Sequence, residues 1–107
     1  MENKIFSYFG FAKKSGNLRT GLNVVSELKK RAYLIAVCRS ASENTKKDAA
    51  KCARKYGCAL VESATDDLSS FVGKDNCKIV AVTEEHLADA ILKNIDLDFT
   101  VLIGSKG

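Results

Sequence analysis

Proline is absent from this chain, and with it any proline-rich linker. No glycine/serine run, low-complexity tract or internal repeat divides the sequence. Its 107 residues therefore suit one domain spanning 1–107. No apolar run approaches the roughly 18 residues that a membrane helix needs, so no membrane partner is expected. The opening MENKIFSYFG shows no basic region followed by an apolar stretch and a small-residue cleavage site. No signal peptide is predicted, and a cytoplasmic location is expected.

Catalytic and metal chemistry is equally thin. His86 is the sole histidine, and in TEEHLADA it reads as a surface residue in the first turn of a helix. Cys38, Cys52, Cys58 and Cys77 form no CxxC pair and match no zinc spacing. Each sits in or beside an apolar segment, so they read as small buried thiols, reduced in the cytosol. No GxxxxGK[ST] loop, GxGxxG fingerprint or GxSxG elbow occurs. The pairs Asp66–Asp67 and Glu84–Glu85 stand at predicted helix starts, where the helix dipole favours acids without any catalytic role. No cofactor, metal or catalytic residue is expected, and the chain does not read as an enzyme.

What is present is a mild basic excess, 17 Lys+Arg against 13 Asp+Glu, for a net charge of +4. It permits a polyanionic partner without requiring one. Its distribution says more. Lys4, Lys13, Lys14, Arg19, Lys29, Lys30, Arg31, Arg39, Lys46, Lys47, Lys51 and Arg54 crowd the first half, whereas Glu62, Asp66, Asp67, Glu84, Glu85, Asp89, Asp96 and Asp98 come later. One end of the molecule is thus able to carry a positive field; ordinary solvated helix faces are the plain alternative.

Apolar periodicity gives the element order. Residues 3–15 read as a helix with Ile5, Tyr8, Phe9 and Ala12 on one stripe, stopped by Gly16. Residues 17–20 suit an edge strand. A second helix is predicted from Gly21 to about Arg31, with Val25, Leu28 and Ala32 inward. YLIAVC (33–38) is a continuous apolar run and reads as a buried strand. Ser40 and Glu43 fit a capping box for a helix that carries Thr45, Ala49, Cys52, Ala53 and Tyr56 on one face and ends at Gly57. CALVE (58–62) is the next strand, 66–72 a short helix, and KIVAVT (78–83) another buried strand. Thr83 is placed to cap a helix through about Lys93, with Leu87, Ala88, Ile91 and Leu92 inward. FTVLI (99–103) closes the series. Strands alternating with helices predict an α/β fold, a three-layer α/β/α sandwich around a central mixed sheet of about four to five strands.

The stretch AKKSGNLRTGLNVVSELKKRA (12–32) carries the functional signal. A basic pair precedes a glycine turn, an exposed Arg19, and a glycine that opens a helix. Free N–H groups at a helix start favour phosphate, and Gly21 lets a backbone or base edge approach closely. Asn23 offers donor and acceptor atoms for a base edge. Asn23, Glu27 and Lys30 share one face of the predicted helix, at spacings of four and three. A surface helix with a glycine cap is the plain reading of the same residues.

Five segments in order make the chain resemble a known family. They are FGFAKKSGNLRTG against the family's LGLAxKAGKLxxG, YLIAVC with RSASENTKK against LVIIAEDASxNTKK, the helix KCARKYG, LSSFVGK against LGxAxGK, and KIVAVTEEHLADAIL against VVAITDxGFAxAI. Over about residues 5–93 it resembles the kink-turn-binding ribosomal protein family, the L-seven-Ae, thirty-e and Gadd-forty-five superfamily, in its bacterial YlxQ-like branch. The resemblance implies an α/β/α sandwich that binds a sharply bent RNA with tandem G·A pairs, through a helix opened by G-x-N-E-V-x-K. Carried over by position, Gly21 and Asn23 match, Leu22 holds the variable place and Val25 the inward apolar one. Val24 stands where the family often has Glu, and Glu27 where it has Lys. Arg39 and Ser40 replace an acidic pair, Ser69 replaces a glycine, and Lys74 matches the basic loop residue. The RNA-binding set so implied is Lys14, Arg19, Gly21, Leu22, Asn23, Val24, Glu27, Lys30, Arg31, Arg39 and Lys74. The expected partner is structured RNA, ribosomal or kink-turn-like, or the ribosome itself, bound by a monomer. The alternative is a protein-interaction module of the same fold that has lost the RNA site.

Overall fold

A computed structural model of the chain describes residues 4–29, 31–64, 78–95 and 99–104. In chain order the elements are α1 (Lys4–Lys14), β1 (Leu18–Thr20), α2 (Leu22–Ser26), β2 (Leu34–Cys38), α3 (Glu43–Tyr56), β3 (Ala59–Ser63), β4 (Ile79–Val82), α4 (Glu85–Lys93) and β5 (Phe99–Ile103). The strands form one five-stranded sheet in the order β1-β4-β2-β3-β5. β2 and β3 run parallel, as the α3 crossover between them requires. The other three pairings are antiparallel, so the sheet is mixed, as expected. The helix predicted over 66–72 lies outside the described residues.

Side-chain alternation along the strands divides the core in two. Leu34, Ala36 and Cys38 of β2, Val61 of β3 and Val80 and Val82 of β4 meet Ile5, Phe9 and Ala12 of α1 and Ala88 and Ile91 of α4. Ile35 and Val37, Leu60, and Ile79 and Ala81 point the other way, onto Val25 of α2 and Ala49, Cys52 and Ala53 of α3. Helices on both faces explain why β2 and β4 are apolar at every position rather than at every second one. Three layers follow directly. β1 and β5 form the two edges. In β5 the pairing with β3 slips between Leu60 and Val61, leaving Leu102 as an extra residue opposite the ladder, and Val101 and Leu102 stay about half exposed.

Two helix starts differ from expectation. Ser42, not Ser40, caps α3, its Oγ accepting the Thr45 N–H at 3.1 Å. Ser40 is held in the turn before it. Its hydroxyl accepts from Lys78 Nζ at 2.9 Å, and the Ala41 N–H donates to the Cys38 carbonyl at 3.1 Å. Glu84, not Thr83, caps α4, its carboxylate accepting the Leu87 N–H at 2.6 Å. Thr83 is drawn instead to the residue before β1, where both its N–H (2.8 Å) and its hydroxyl (3.2 Å) donate to the Asn17 carbonyl. The Leu87 N–H, and next the His86 ring 2.8 Å away, hold the Glu84 carboxyl below its ordinary range. The hydrogen bond that the His86 ring donates to Glu84 in turn raises His86, which is exposed on the surface.

Cys38, Cys52 and Cys58 are free and buried; Cys77 lies outside the described residues. Burial pushes the Cys58 thiol up to about 11, against a smaller opposing pull from Arg31. At pH 8 only about a thousandth of it is then thiolate, the reactive form. Alkylation of the native protein is expected to leave Cys58 unlabelled while the protein in denaturant labels at once. Mass mapping of the alkylated peptides checks this, and rapid native labelling of Cys58 would contradict it.

Candidate nucleic-acid interface

The predicted site is built on β1 and α2. The Gly21 N–H donates to the Ile79 carbonyl at 3.1 Å, carrying the β1–β4 ladder one residue past the strand. Gly21 there has φ 93 and ψ 140, a conformation open to glycine and strained for any other residue. The chain then turns into α2, which fully buried Val25 pins to the sheet while Asn23 and Val24 face outward.

α2 is far shorter than the predicted 21–31. It stops at Ser26, and Glu27 already has φ −120 and ψ 31. Side chains occupy the carbonyls that a longer helix would use. The Tyr56 hydroxyl donates to the Val25 carbonyl at 2.9 Å, Lys55 Nζ to that of Ser26 at 3.4 Å, and the Ser26 hydroxyl to that of Asn23 at 3.0 Å.

Two open depressions flank α2. One of about 380 Å³ is lined by Leu22, Asn23, Ser26, Asp48, Lys51, Cys52 and Lys55. The other, of about 480 Å³, is lined by Arg19, Val24, Glu27, Leu28, Lys29 and Thr83. Asn23 lines the first depression and Glu27 the second; Lys30 lies outside the described residues. Arg19 braces its own turn, Nη1 donating to the Gly16 and Leu18 carbonyls at 2.9 and 3.2 Å.

The remaining predicted residues divide between the two ends of the sheet. Lys14 ends α1 just before β1, where Leu18 pairs with Val82. Gly21 follows β1 beside Ile79, so the strand puts roughly 10 Å between the two sites. Lys14 thus precedes β1 and Gly21 follows it, and Lys74 lies outside the described residues. Arg31 belongs to the Lys14 end: its guanidinium sits 4.5 Å over the Tyr33 ring, and the Tyr33 N–H donates to Val82. Arg39 follows β2 at the Gly21 end, where its carbonyl accepts from Lys46 Nζ at 2.7 Å.

α3 supplies cations that the sequence reading counted in the basic half of the chain but left out of the site. Lys47, Lys51, Arg54 and Lys55 are all exposed on it, and Lys51 and Lys55 line the same depression as Asn23. The spacings of four and three that align Lys47, Lys51 and Arg54 were legible, but the sequence reading took these residues only as part of a general charge bias. Among the described residues no group of three or more His, Cys, Asp or Glu side chains could hold a metal, and no helix is long and apolar enough to cross a membrane.

No profile of a known protein family and no curated protein matches the chain. A solved structure of a protein of unknown function from Bacillus halodurans is similar to it, with a TM-score of 0.72 and 20% identity over 86% of this chain and 96% of that one. At that identity the likeness carries the fold, and the chain shares the α/β architecture of that protein.

Proposed function

We propose that this chain is a non-catalytic, cytoplasmic RNA-binding protein that takes structured RNA, ribosomal or kink-turn-like, at the α2–α3 face. The observation that carries this reading is the exposed Asn23 carboxamide beside a depression lined by Lys51 and Lys55. A base-edge reader and phosphate-seeking cations share one concave surface. Distorted RNA exposes the base edges that regular A-form helix hides. The sequence resemblance adds weight, since it places its RNA helix at Gly21 and Asn23. Val24 and Glu27 line the other depression, so restoring Glu and Lys there would alter the field around Arg19 and Lys29 rather than around Asn23.

Asn23→Ala is expected to weaken binding to a kink-turn duplex by about 1–3 kcal/mol, the scale of one good base-edge contact. Fluorescence titration of the duplex, beside the same duplex with its G·A pairs replaced by Watson–Crick pairs, measures it. Equal affinity of wild type and variant for both would remove Asn23 from recognition.

One observation favours a second reading, a protein-interaction module of the same fold. Phe6 and Phe11 on α1 are 51% and 67% exposed, and large apolar side chains left in water suit a protein partner. Failure of the wild type to bind either duplex at low salt would favour it.

A further inference from the structure

We infer that the outer face of α3 is the track for the RNA's phosphate backbone, with Lys47, Lys51 and Arg54 as successive phosphate contacts. This rests on the RNA reading above and adds to it a surface, a chemistry and a direction of travel.

The cations are aligned. Residues four and three apart on a helix share a face, and the rise of 1.5 Å per residue spreads Lys47 to Arg54 over roughly 10 Å. The step between neighbours is comparable to that between successive phosphates on one strand. α3 spans Glu43–Tyr56, so the row lies on a regular, firmly capped element and not on a loop.

These charges are also unspent. Among the described residues the side chains of Lys47, Lys51 and Arg54 enter no ion pair or hydrogen bond. Other cations of the same surface are engaged. Lys46 lies 3.5 Å from the Glu62 carboxylate and donates to the Arg39 carbonyl. Lys55 reaches the Ser26 carbonyl and lies 5.3 Å over the Tyr56 ring. Three like charges kept side by side repel each other and destabilise the helix slightly. A bound polyanion reverses that cost.

The row also joins the reading site. Lys51 belongs to both the track and the Asn23 depression, whose floor includes Leu22 and Cys52 and whose one acid is Asp48. A strand held along α3 therefore presents its nucleotides to Asn23. The other depression, with Glu27 between Arg19 and Lys29, has no such row beside it.

Counterion release makes this testable by counting. Each phosphate contact adds about 0.9 to the slope of log K against log salt on a duplex and about 0.7 on a single strand. The probes are the kink-turn duplex and its Watson–Crick counterpart, titrated across a salt series. The combined variant Lys47→Gln, Lys51→Gln, Arg54→Gln is expected to lower the slope by about 2–3 and the affinity at 0.1 M salt on the order of 10²-fold. Asn23→Ala is expected to change affinity and leave the slope as it was. Lys93→Gln, which breaks the 2.9 Å pair with Asp89 on the opposite layer, sets the baseline for loss of a remote charge. Exchanging the cations (Lys47→Arg, Lys51→Arg, Arg54→Lys) is expected to keep the slope, which separates charge from any effect on folding. An unchanged slope in the triple glutamine variant, with wild-type binding intact, overturns the track and leaves the RNA reading standing. Absence of wild-type binding to both duplexes at low salt overturns the two together. Equal wild-type affinity for poly-glutamate overturns the track in favour of an acidic protein partner.

Discussion

Replacing Phe9 with alanine is expected to lower the stability of the fold by about 3–5 kcal/mol, the range for removing a buried aromatic ring from a packed core. Phe9 is fully buried, and its ring centroid lies 6.0 Å from that of Phe99 on the edge strand β5. One side chain thus joins the first helix to the last strand across the α1/α4 face. Its neighbours there include Ala12, Ala36 and Ala88, which are too small to move into the vacated space. The loss is a large share of the roughly 5–15 kcal/mol that holds a typical domain together. Urea denaturation measures it as a fall in midpoint at unchanged slope. A loss below about 1 kcal/mol would mean that α1 repacks.

Gly21→Ala is the second large effect, about 1–3 kcal/mol, and its origin is different. A Cβ at Gly21 would meet nothing within 4 Å. The penalty is therefore torsional, from a φ of 93 that an L side chain avoids. To relieve it the backbone must rotate, which strains the Gly21–Ile79 hydrogen bond and displaces α2 with Asn23. Lost stability and weakened RNA binding are expected together. Gly10→Ala provides the contrast. Gly10 lies inside α1 with equally open surroundings, and the same change there is expected to stabilise by about 0.5–1 kcal/mol. Thermal melts of the two variants should move in opposite directions; a shared direction would refute the torsional account.

The strands and the long helices were legible because their signals are local and repeated. YLIAVC and KIVAVT leave no room for a polar face, and the Ile5–Phe9–Ala12 stripe admits only a helix. The end of α2 was not legible. Glu27, Leu28 and Lys29 favour continuing a helix, and what stops it is the Tyr56 hydroxyl 31 residues away in the chain. The caps failed for the same reason. Ser40 and Ser42 have similar local claims to cap α3, and Lys78 settles the matter by engaging Ser40. Thr83 loses its place to Glu84 because Asn17 engages it from just before β1. The candidate site followed suit: the residue types were readable, but which of them share a concavity depended on where α2 ends. Asn23 lines one depression with Lys51 and Lys55, and Glu27 lines the other.

The slip in the β3–β5 pairing bears on how the protein keeps company with itself. An open sheet ends in two edge strands, and an edge can template the strand of a passing molecule. Here one rim is the three-residue β1 with Arg19 at its centre, and the other is β5, whose regular ladder runs only from Phe99 to Val101 before Leu102 interrupts it. Neither rim offers more than three residues in register. Val101 and Leu102 are about half exposed, and a short edge or one interrupted by an irregularity is a poor template for an incoming strand.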